Sequence, residues 1–559
     1  MGLLGDALLV CAMLAAAGLL SGLRGRRAVL PGLRRAWHWL ARRRAAACIA
    51  VGLLAGGLAA GLGAWRGIPP PVVTDEWSHL LAADTFCQFR LTNPTHPYWM
   101  HFQSEEVIHR PSYQSKYPPG QGLFLALGRA LGGQPIVGVW LSVALACTAT
   151  CWMLQAFVPP RWALLGGVLA AISPSILTMW GCTYLGGPPA MLGGALAVGA
   201  TRRLVRQPRP LWGCLLGGGL FVMANTRPFE GLVVASPLGA VLLHWLARRR
   251  GKALGAAVRC GVLPLALVLA AGTAWMAWYN YRVTGEPLRM PYQVWAKTYG
   301  IGTQKRSLEW MLFPWVREHP PGLPDLARAF VKRLLEQWAF YVRVPLTLAL
   351  LPLVRALARR WLWLPLTAWL LLLATMAGQY TRGYPHYTAP AASLVFLAVV
   401  EGLRQWSAAC RRSGFGTWLA SLTAPLCLCA LACFLAGWDP TAQRKLDRAR
   451  AVVEPYITRL PGKHLVFVDY GKRQQVAFEW VYNGADIDAG RIVWAHRLGR
   501  RRDRALRRYY TDRSAWVLDA SHWPPLLSPY VEATGGGGPA SGSTAGPSVG
   551  LRSVAPPGN

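Results

Sequence analysis

Long apolar runs separated by short basic segments make up most of this chain. Many runs approach the roughly 20 residues that a helix needs to cross the ~30 Å hydrocarbon core of a bilayer. The pattern predicts about twelve transmembrane helices, at 3–22, 45–65, 135–157, 162–180, 185–201, 210–226, 229–247, 257–280, 334–354, 361–379, 389–403 and 417–437. We therefore expect a polytopic α-helical membrane protein. The runs recur as far as residue 437, which is not the pattern of a cleavable signal.

Arginine is concentrated in every second connection between these runs. The clusters occupy 24–44, 202–209, 248–252, 355–360 and 404–412. Because cytoplasmic loops carry an excess of Lys and Arg, these connections are expected in the cytoplasm. The loops 66–134 and 281–333, and everything after 438, then lie on the outer face. The positive-inside pattern explains these clusters, which hold 22 of the 59 Lys and Arg residues, so the net charge of +35 predicts no nucleic-acid partner.

The last part of the chain changes character. Short β-branched runs at 465–468, 492–494 and 516–518 predict strands, and 441–456 and 499–510 predict helices. We expect a small α/β domain over 438–532 and a disordered Gly/Ser/Pro-rich tail over 533–559. The remaining parts are an N-terminal span with a basic segment (1–44) and a transmembrane domain (45–437) that includes the first outer loop.

Acidic residues are concentrated in that first outer loop. Of thirteen acids before residue 438, the five in 66–134 are Asp75, Glu76, Asp84, Glu105 and Glu106. The vicinal pair Asp75-Glu76 closely follows a predicted span, where a carboxylate usually faces water, a partner or a substrate. Two apolar stretches in the loop, Trp77–Phe86 and Leu123–Leu131, are too short to span and predict helices at the membrane surface.

Other outer-face residues suit the binding of sugars and phosphates. They are His109, Arg110, Tyr113, Lys116 and Tyr117 in the loop, and Arg227, Glu230, Arg382, His386 and Tyr387 beyond it. Other interpretations stay open. The aromatic residues fit an interfacial belt, Arg227 fits a structural ion pair with Glu230, and His386 fits an ordinary interfacial histidine.

Four segments carry a resemblance to a known family. They read DEWSH at 75–79, YPPGQG at 117–122, TRPFEG at 226–231 and HYTAP at 386–390. With the long first loop they resemble the GT-C membrane glycosyltransferases, related to protein O-mannosyltransferases and aminoarabinose transferases, and bacterial family-39-like proteins above all. The resemblance covers about residues 45–437 and extends no chemistry to the C-terminal domain.

The resemblance implies a membrane enzyme of the bacterial inner membrane whose site faces outward. Its donor would be a sugar on a polyprenyl phosphate, and its acceptor a glycan, lipid or protein hydroxyl. Asp75 would be the base of an inverting single displacement, with Glu76 as its neighbour or a second candidate. The basic and aromatic residues named in the previous paragraphs would bind the lipid phosphate. No obligate metal is expected, although Glu105 and Glu106 are possible ligands for Mg or Mn.

Three other functions fit the sequence less well. A flippase for lipid-linked glycans should show repeated halves and charges near the middle of the membrane, and no internal repeat is evident. A glycan polymerase or ligase typically carries its long loop late in the chain, whereas here the loop follows an early span. A scaffold would leave the carboxylates of the loop without a role.

Overall fold

The structure is a computed structural model of the 559-residue chain. It describes residues 31–299, 322–356, 362–379, 385–409, 415–437, 449–471, 479–521 and 525–531. The predicted first span at 3–22, the predicted tail at 533–559 and the candidate residue Arg382 lie outside the described residues.

The described residues are mainly α-helical. The helices are α1 (Pro31–Arg42), α2 (Arg44–Arg66), α3 (Thr74–Cys87), α4 (Gly120–Gly132), α5 (Pro135–Leu154), α6 (Pro160–Ala171), α7 (Gly187–Arg206), α8 (Pro210–Ala224), α9 (Pro228–Ala247), α10 (Gly251–Ala257), α11 (Leu263–Thr284), α12 (Pro291–Tyr299), α13 (Leu323–Gln337), α14 (Arg343–Leu350), α15 (Leu353–Ala356), α16 (Trp363–Gln379), α17 (Ala392–Ala409), α18 (Phe415–Gly437), α19 (Ala449–Arg459) and α20 (Arg500–Tyr509). Short 3₁₀ segments lie at Trp99–Phe102 and Pro385–Ala391. The two surface stretches predicted in the first loop are helices α3 and α4.

Five helical segments are long and apolar enough to cross a membrane, judged by length and composition over the described residues. They are Arg44–Arg66, Pro135–Leu154, Pro228–Ala247, Gly251–Thr284 and His386–Ala409. A sixth results if Leu323–Val342 and Leu346–Arg355, bent by 111°, form one span. Shorter apolar helices occur at Pro210–Ala224, Trp363–Gly378 and Leu422–Ala436. The number twelve therefore stays a prediction.

Six strands occur in the described residues. β1 (Val107–Ile108) and β2 (Gln114–Ser115) form an antiparallel pair. The C-terminal strands are β3 (Lys463–Asp469), β4 (Ile492–His496), β5 (Arg513–Asp519) and β6 (Leu526–Pro529), in the order β4-β3-β5-β6. β3 pairs in parallel with β4 and β5, whereas β6 is antiparallel to β5. The three C-terminal segments predicted as strands are thus parts of β3, β4 and β5.

Backbone contacts divide the chain into two compact units. The helical unit comprises 1–69, 118–277 and 302–438, and the mixed unit comprises 70–117, 278–301 and 439–559. The expected first outer loop, 66–134, is therefore divided between them. The apolar side chains of 70–117 pack with those of the C-terminal strands, because Leu81, Phe102 and Tyr113 share one buried cluster with Leu465 and Phe467.

Candidate functional site

Asp75 and Glu76 adjoin in sequence but make different contacts at the start of α3. Glu76 is buried, and its Oε2 accepts hydrogen bonds from the backbone N–H of Val72 at 2.7 Å and of Val73 at 3.0 Å. A glutamate at the third helical position commonly reaches back in this way to satisfy donors that the helix leaves open. Glu76 thus serves to begin the helix.

Asp75 is held by a tyrosine instead of the backbone. Its Oδ1 accepts a hydrogen bond from the Tyr117 hydroxyl at 2.7 Å. Tyr117 immediately precedes the PPGQG part of the segment singled out in the sequence, and its ring also packs on His79, with centroids 4.7 Å apart. The Asp75 side chain is half-buried, so its carboxylate is held in one orientation and is still accessible to solvent.

Glu106 and Lys116 complete this carboxylate cluster. Glu106 forms an ion pair with Lys116, and its Oε2 lies 2.9 Å from the Tyr117 hydroxyl. The Lys116 Nζ also lies 3.4 Å from the ring centroid of Trp295 and 4.7 Å from that of Tyr292. A cation over aromatic faces is stabilised by their quadrupoles, so this lysine is held between a carboxylate and rings.

Asp75 and Glu106 share a single hydroxyl donor in this cluster. Tyr117 has one hydroxyl proton, and oxygens of Asp75 and Glu106 both lie within hydrogen-bond reach of it. Burial, followed by the charge of Asp75, raises the pKa of Glu106 against the opposing effect of Lys116. The pKa of Glu105 is raised to about 7, first by burial and then by Glu106. The site therefore favours retention of a proton among its carboxyl groups.

His109 and Tyr113, both expected to bind substrate, lie in the core of the mixed unit. Burial, with the neighbouring His496 and His96, lowers the pKa of His109 to about 3. Its ring stacks on Tyr113 with centroids 5.1 Å apart, and the Tyr113 hydroxyl donates to the Asn483 carbonyl at 3.0 Å. His109 is therefore a neutral packed ring and supplies no cation for a phosphate.

Arg110, in contrast, lines an open cleft of about 610 Å³ in the mixed unit. The other lining residues are Thr95, Pro111, Thr284, Arg289, Val294 and Thr298. Arg289 contributes a second guanidinium, which is hydrogen-bonded to Glu286 at 3.0 Å. Two arginines beside three threonine side chains suit an anionic group, because the guanidinium fork matches phosphate and carboxylate oxygens.

The remaining candidates lie in the helical unit. Arg227 stands over the Tyr387 ring at 5.1 Å from its centroid, and Tyr387 packs on His386 with ring centroids 4.5 Å apart. Glu230 is buried in the first turn of α9. The TRPFEG and HYTAP segments, far apart in sequence, thus meet around Tyr387.

Glycines allow close backbone contacts at or beside three of these segments in the helical unit. The Gly120 N–H donates to the Asn225 carbonyl at 2.8 Å, and a Cβ at Gly120 would lie 2.5 Å from that oxygen. On α7, a Cβ at Gly194 would lie 1.7 Å from the Pro390 carbonyl oxygen. No side chain fits at either place, so the helical unit uses these segments for close packing.

A resident metal ion was a possibility for Glu105 and Glu106. Over the described ranges, no group of three or more His, Cys, Asp or Glu is arranged to hold a metal ion. Glu106, one of the two possible ligands, is engaged by Lys116.

Sequence reasoning missed Arg289 and Trp295. Both lie in the segment that follows the span predicted at 257–280, a region with no acidic cluster to draw attention. The signal was the alternation of basic and aromatic residues in LRMPYQVWAK, which is equally typical of an aromatic belt.

The chain resembles several solved structures at low sequence identity. ArnT from Cupriavidus metallidurans matches in the apo state (12% identity, 84% of this chain, 92% of that chain, TM-score 0.46) and bound to undecaprenyl phosphate (11%, 88%, 93%, 0.46). The archaeal oligosaccharyltransferase AglB from Archaeoglobus fulgidus, in complex with an inhibitory peptide and a dolichol-phosphate, matches at 12% identity over 84% of this chain and 69% of that chain, with a TM-score of 0.46. No family model and no curated protein matches. At these values the likeness carries no argument about the reaction.

Proposed function

We propose that this chain is a GT-C-type membrane glycosyltransferase of a bacterial inner membrane. It moves a sugar from a polyprenyl-phosphate-linked donor to a hydroxyl acceptor, and the mixed unit, with the site, faces away from the cytoplasm. The apolar helices described above suit a lipid-borne donor, and the alternation of arginine-rich connections supports the orientation.

One observation carries the proposal: the Asp75 carboxylate is positioned by a side chain, the Tyr117 hydroxyl. Tyr117 orients its Oδ1 at 2.7 Å, whereas the Glu76 Oε2 is taken up by two backbone N–H groups. A general base must be fixed in position and within reach of the proton that it removes. We therefore assign the base to Asp75 and helix capping to Glu76.

The reaction is a single displacement. The acceptor hydroxyl oxygen attacks the anomeric carbon while Asp75 takes its proton, and the bond from that carbon to the lipid-phosphate oxygen breaks. The electron pair of that bond leaves with the phosphate, and the configuration at the anomeric carbon inverts. Glu106 lies across the Tyr117 hydroxyl from Asp75, so the proton arrives among groups that already favour its retention.

The departing phosphate carries negative charge that positioned cations stabilise. We propose that Arg110 and Arg289, in their cleft, and Lys116, in the carboxylate cluster, supply that stabilisation in the mixed unit. Arg227, in the helical unit, stays a separate candidate for binding phosphate. The proposal includes no obligate metal ion, since Glu106 is paired with a lysine.

The test compares Asp75→Asn with wild type in a strain that lacks the gene. Removal of a general base typically lowers the rate about 10²–10⁴-fold, so we expect the glycan product to disappear and the lipid-linked donor to accumulate. Mass spectrometry of the envelope glycans and the lipid-linked sugars measures both and identifies the sugar.

Asp512→Asn is a matched control, because Asp512 is an exposed carboxylate of the same unit whose partner is Lys463 at 3.1 Å. It should retain wild-type transfer. A normal level of product from the Asp75→Asn variant, at equal membrane abundance, would remove Asp75 from the mechanism.

A further inference from the structure

Helix α20 carries a stripe of arginines that the proposed reaction does not use. Its ten residues, RRRDRALRRY, include six arginines and one acid, Asp503. At 3.6 residues per turn, Arg500, Arg501, Arg504 and Arg508 fall within an arc of about 100°. All four are exposed. Arg500 and Arg508 are eight residues apart, so the stripe extends about 12 Å along the helix axis.

The opposite face of α20 is fixed to the mixed unit. Asp503 and Leu506 are buried there, and Asp503 Oδ1 accepts a hydrogen bond from the Leu498 N–H at 2.9 Å. Immediately after the helix, the ring of Tyr510 stacks on that of His96 in the first loop, with ring centroids 6.3 Å apart. The helix is therefore held rigidly with its arginine stripe outward, and its acid is turned inward and occupied.

A stripe of this kind is unfavourable for the helix itself. Arg500 and Arg504, and Arg504 and Arg508, are like charges at a spacing of four residues, which destabilises a helix. A bound chain of negative charges relieves this repulsion and releases its own counterions. The charge pattern is therefore complementary to a chain of negative charges.

We propose that the stripe of Arg500, Arg501, Arg504 and Arg508 binds an anionic glycan chain, which is the acceptor of the proposed transferase. The claim that this glycan is the acceptor rests on the proposed function, whereas the claim that the stripe binds it rests on the charge pattern alone. The stripe and Asp75 belong to the same compact unit, so that unit both binds the polymer and carries the base.

A lipid surface is the competing partner, and the composition of α20 disfavours it. Helices that lie on bilayers place large apolar side chains beside their basic face. Helix α1 has that form, with Trp39 exposed beside Arg43 at 4.0 Å from its ring centroid. The arc that carries the stripe consists of guanidinium groups, which suit a polymer of charges in water. The exposed aromatic side chain of this helix, Tyr509, is held by its hydroxyl, which donates to Asp488 at 2.9 Å.

The experiment measures binding of dextran sulfate to the full chain in neutral detergent micelles, with uncharged dextran of the same length as reference. The triple variant Arg501→Gln, Arg504→Gln, Arg508→Gln should bind dextran sulfate about 10-fold more weakly or worse. Its plot of log affinity against log salt should flatten by about two units, at roughly 0.7 per lost cation. Replacing the same three residues with lysine should restore most of the binding.

A matched control removes three exposed arginines of the helical unit, through Arg42→Gln, Arg44→Gln and Arg209→Gln. Equal losses in the two triple variants would overturn the proposal, because total charge would then explain binding. A second arm adds phosphatidylglycerol to the micelles. If the glutamine triple variant binds the phosphatidylglycerol micelles more weakly than wild type but binds dextran sulfate equally well, the partner is a lipid surface and the proposal fails.

Asp75→Asn should bind dextran sulfate like wild type. If the wild type binds the polymer but transfers no sugar, the proposed function is contradicted, whereas the stripe keeps its assignment as a polymer-binding surface. Transfer that is unaffected by the glutamine triple variant would instead contradict the assignment of the bound glycan as acceptor.

Discussion

The segments singled out in the sequence have different structural roles in the two units. In the helical unit they bring backbones together, as Gly194 does against Pro390 and Gly120 against Asn225. In the mixed unit they hold titratable groups at hydrogen-bond distance, as Tyr117 does for Asp75. One region is sensitive to volume and the other to charge. A segment that stands out in a sequence is therefore not by itself a chemical site.

Gly194→Ala tests the sensitivity of the helical unit to volume and should have the largest effect. The new Cβ would lie 1.7 Å from the Pro390 carbonyl oxygen, so the two segments must separate, which costs about 1–3 kcal/mol or more. We expect little folded protein by size-exclusion chromatography in detergent.

Gly218→Ala is the matched substitution, since no atom lies within 4 Å of its Cβ. Alanine is favoured over glycine in a helix by about 1 kcal/mol, so this variant should accumulate at least as well as wild type. Equal behaviour of the two variants would mean that the glycines do not set the packing.

Glu76→Ala tests the division of labour within the acidic pair. Two backbone N–H groups lose their shared acceptor, which should lower the free energy of unfolding by about 1–2 kcal/mol. The folded fraction should still transfer sugar. Thermal melting in detergent and turnover per folded molecule measure the two effects separately.

Glu76→Gln keeps an oxygen that accepts from the same N–H groups and should recover most of the loss in stability. A Glu76→Ala protein that melts like wild type but transfers no sugar would place Glu76 in the chemistry, and the contrast with Asp75 would disappear.

Glu105→Gln tests the charge balance of the mixed unit and should have the smallest effect. The pKa of Glu105 is raised from 4.5 to about 7 in the fold, so the folded state binds its proton more tightly than the unfolded state does. Its contribution to stability is present below about pH 4.5 and is lost as the pH rises through about 7. The wild-type melting temperature should therefore fall between about pH 5 and pH 8 more than that of the variant.

The matched change is Asp512→Asn, at an exposed carboxylate outside the cluster. Glu105→Gln and wild type should differ in slope over this pH range, whereas Asp512→Asn should leave that part of the profile unchanged. Parallel profiles for Glu105→Gln and wild type would show that Glu105 titrates normally.

Local patterns in the sequence anticipated the local elements. Period and composition located α3, α4 and the parallel strands β3, β4 and β5, because those elements are determined by their own residues. The sequence did not predict β6, because four residues ending in Pro529 show little β-strand pattern. An edge strand tolerates such a proline, so it can form without that pattern. Of the predicted helix at 441–456, residues 449–456 lie within the helix Ala449–Arg459, and 441–448 lie outside the described residues.

Contacts between distant segments could not be anticipated in the same way. Nothing local shows that Lys116 lies over Trp295, or that residues 70–117 join the C-terminal strands, because both depend on how the chain returns to itself. The roles of Asp75 and Glu76 were left open for a related reason. A capping glutamate is recognised by a preceding Ser, Thr, Asp or Asn, and here the residue before the helix is Val73.

The mixed unit is assembled from three separate stretches of chain, and this has a consequence for biosynthesis. Leu465 and Phe467, which help to bury Phe102 and Tyr113, are made about 350 residues after them. A ribosome adds only about 5–20 residues per second, so these apolar side chains wait tens of seconds for their cover. During that interval the nascent protein depends on the bilayer surface or on a chaperone for protection from aggregation and proteolysis.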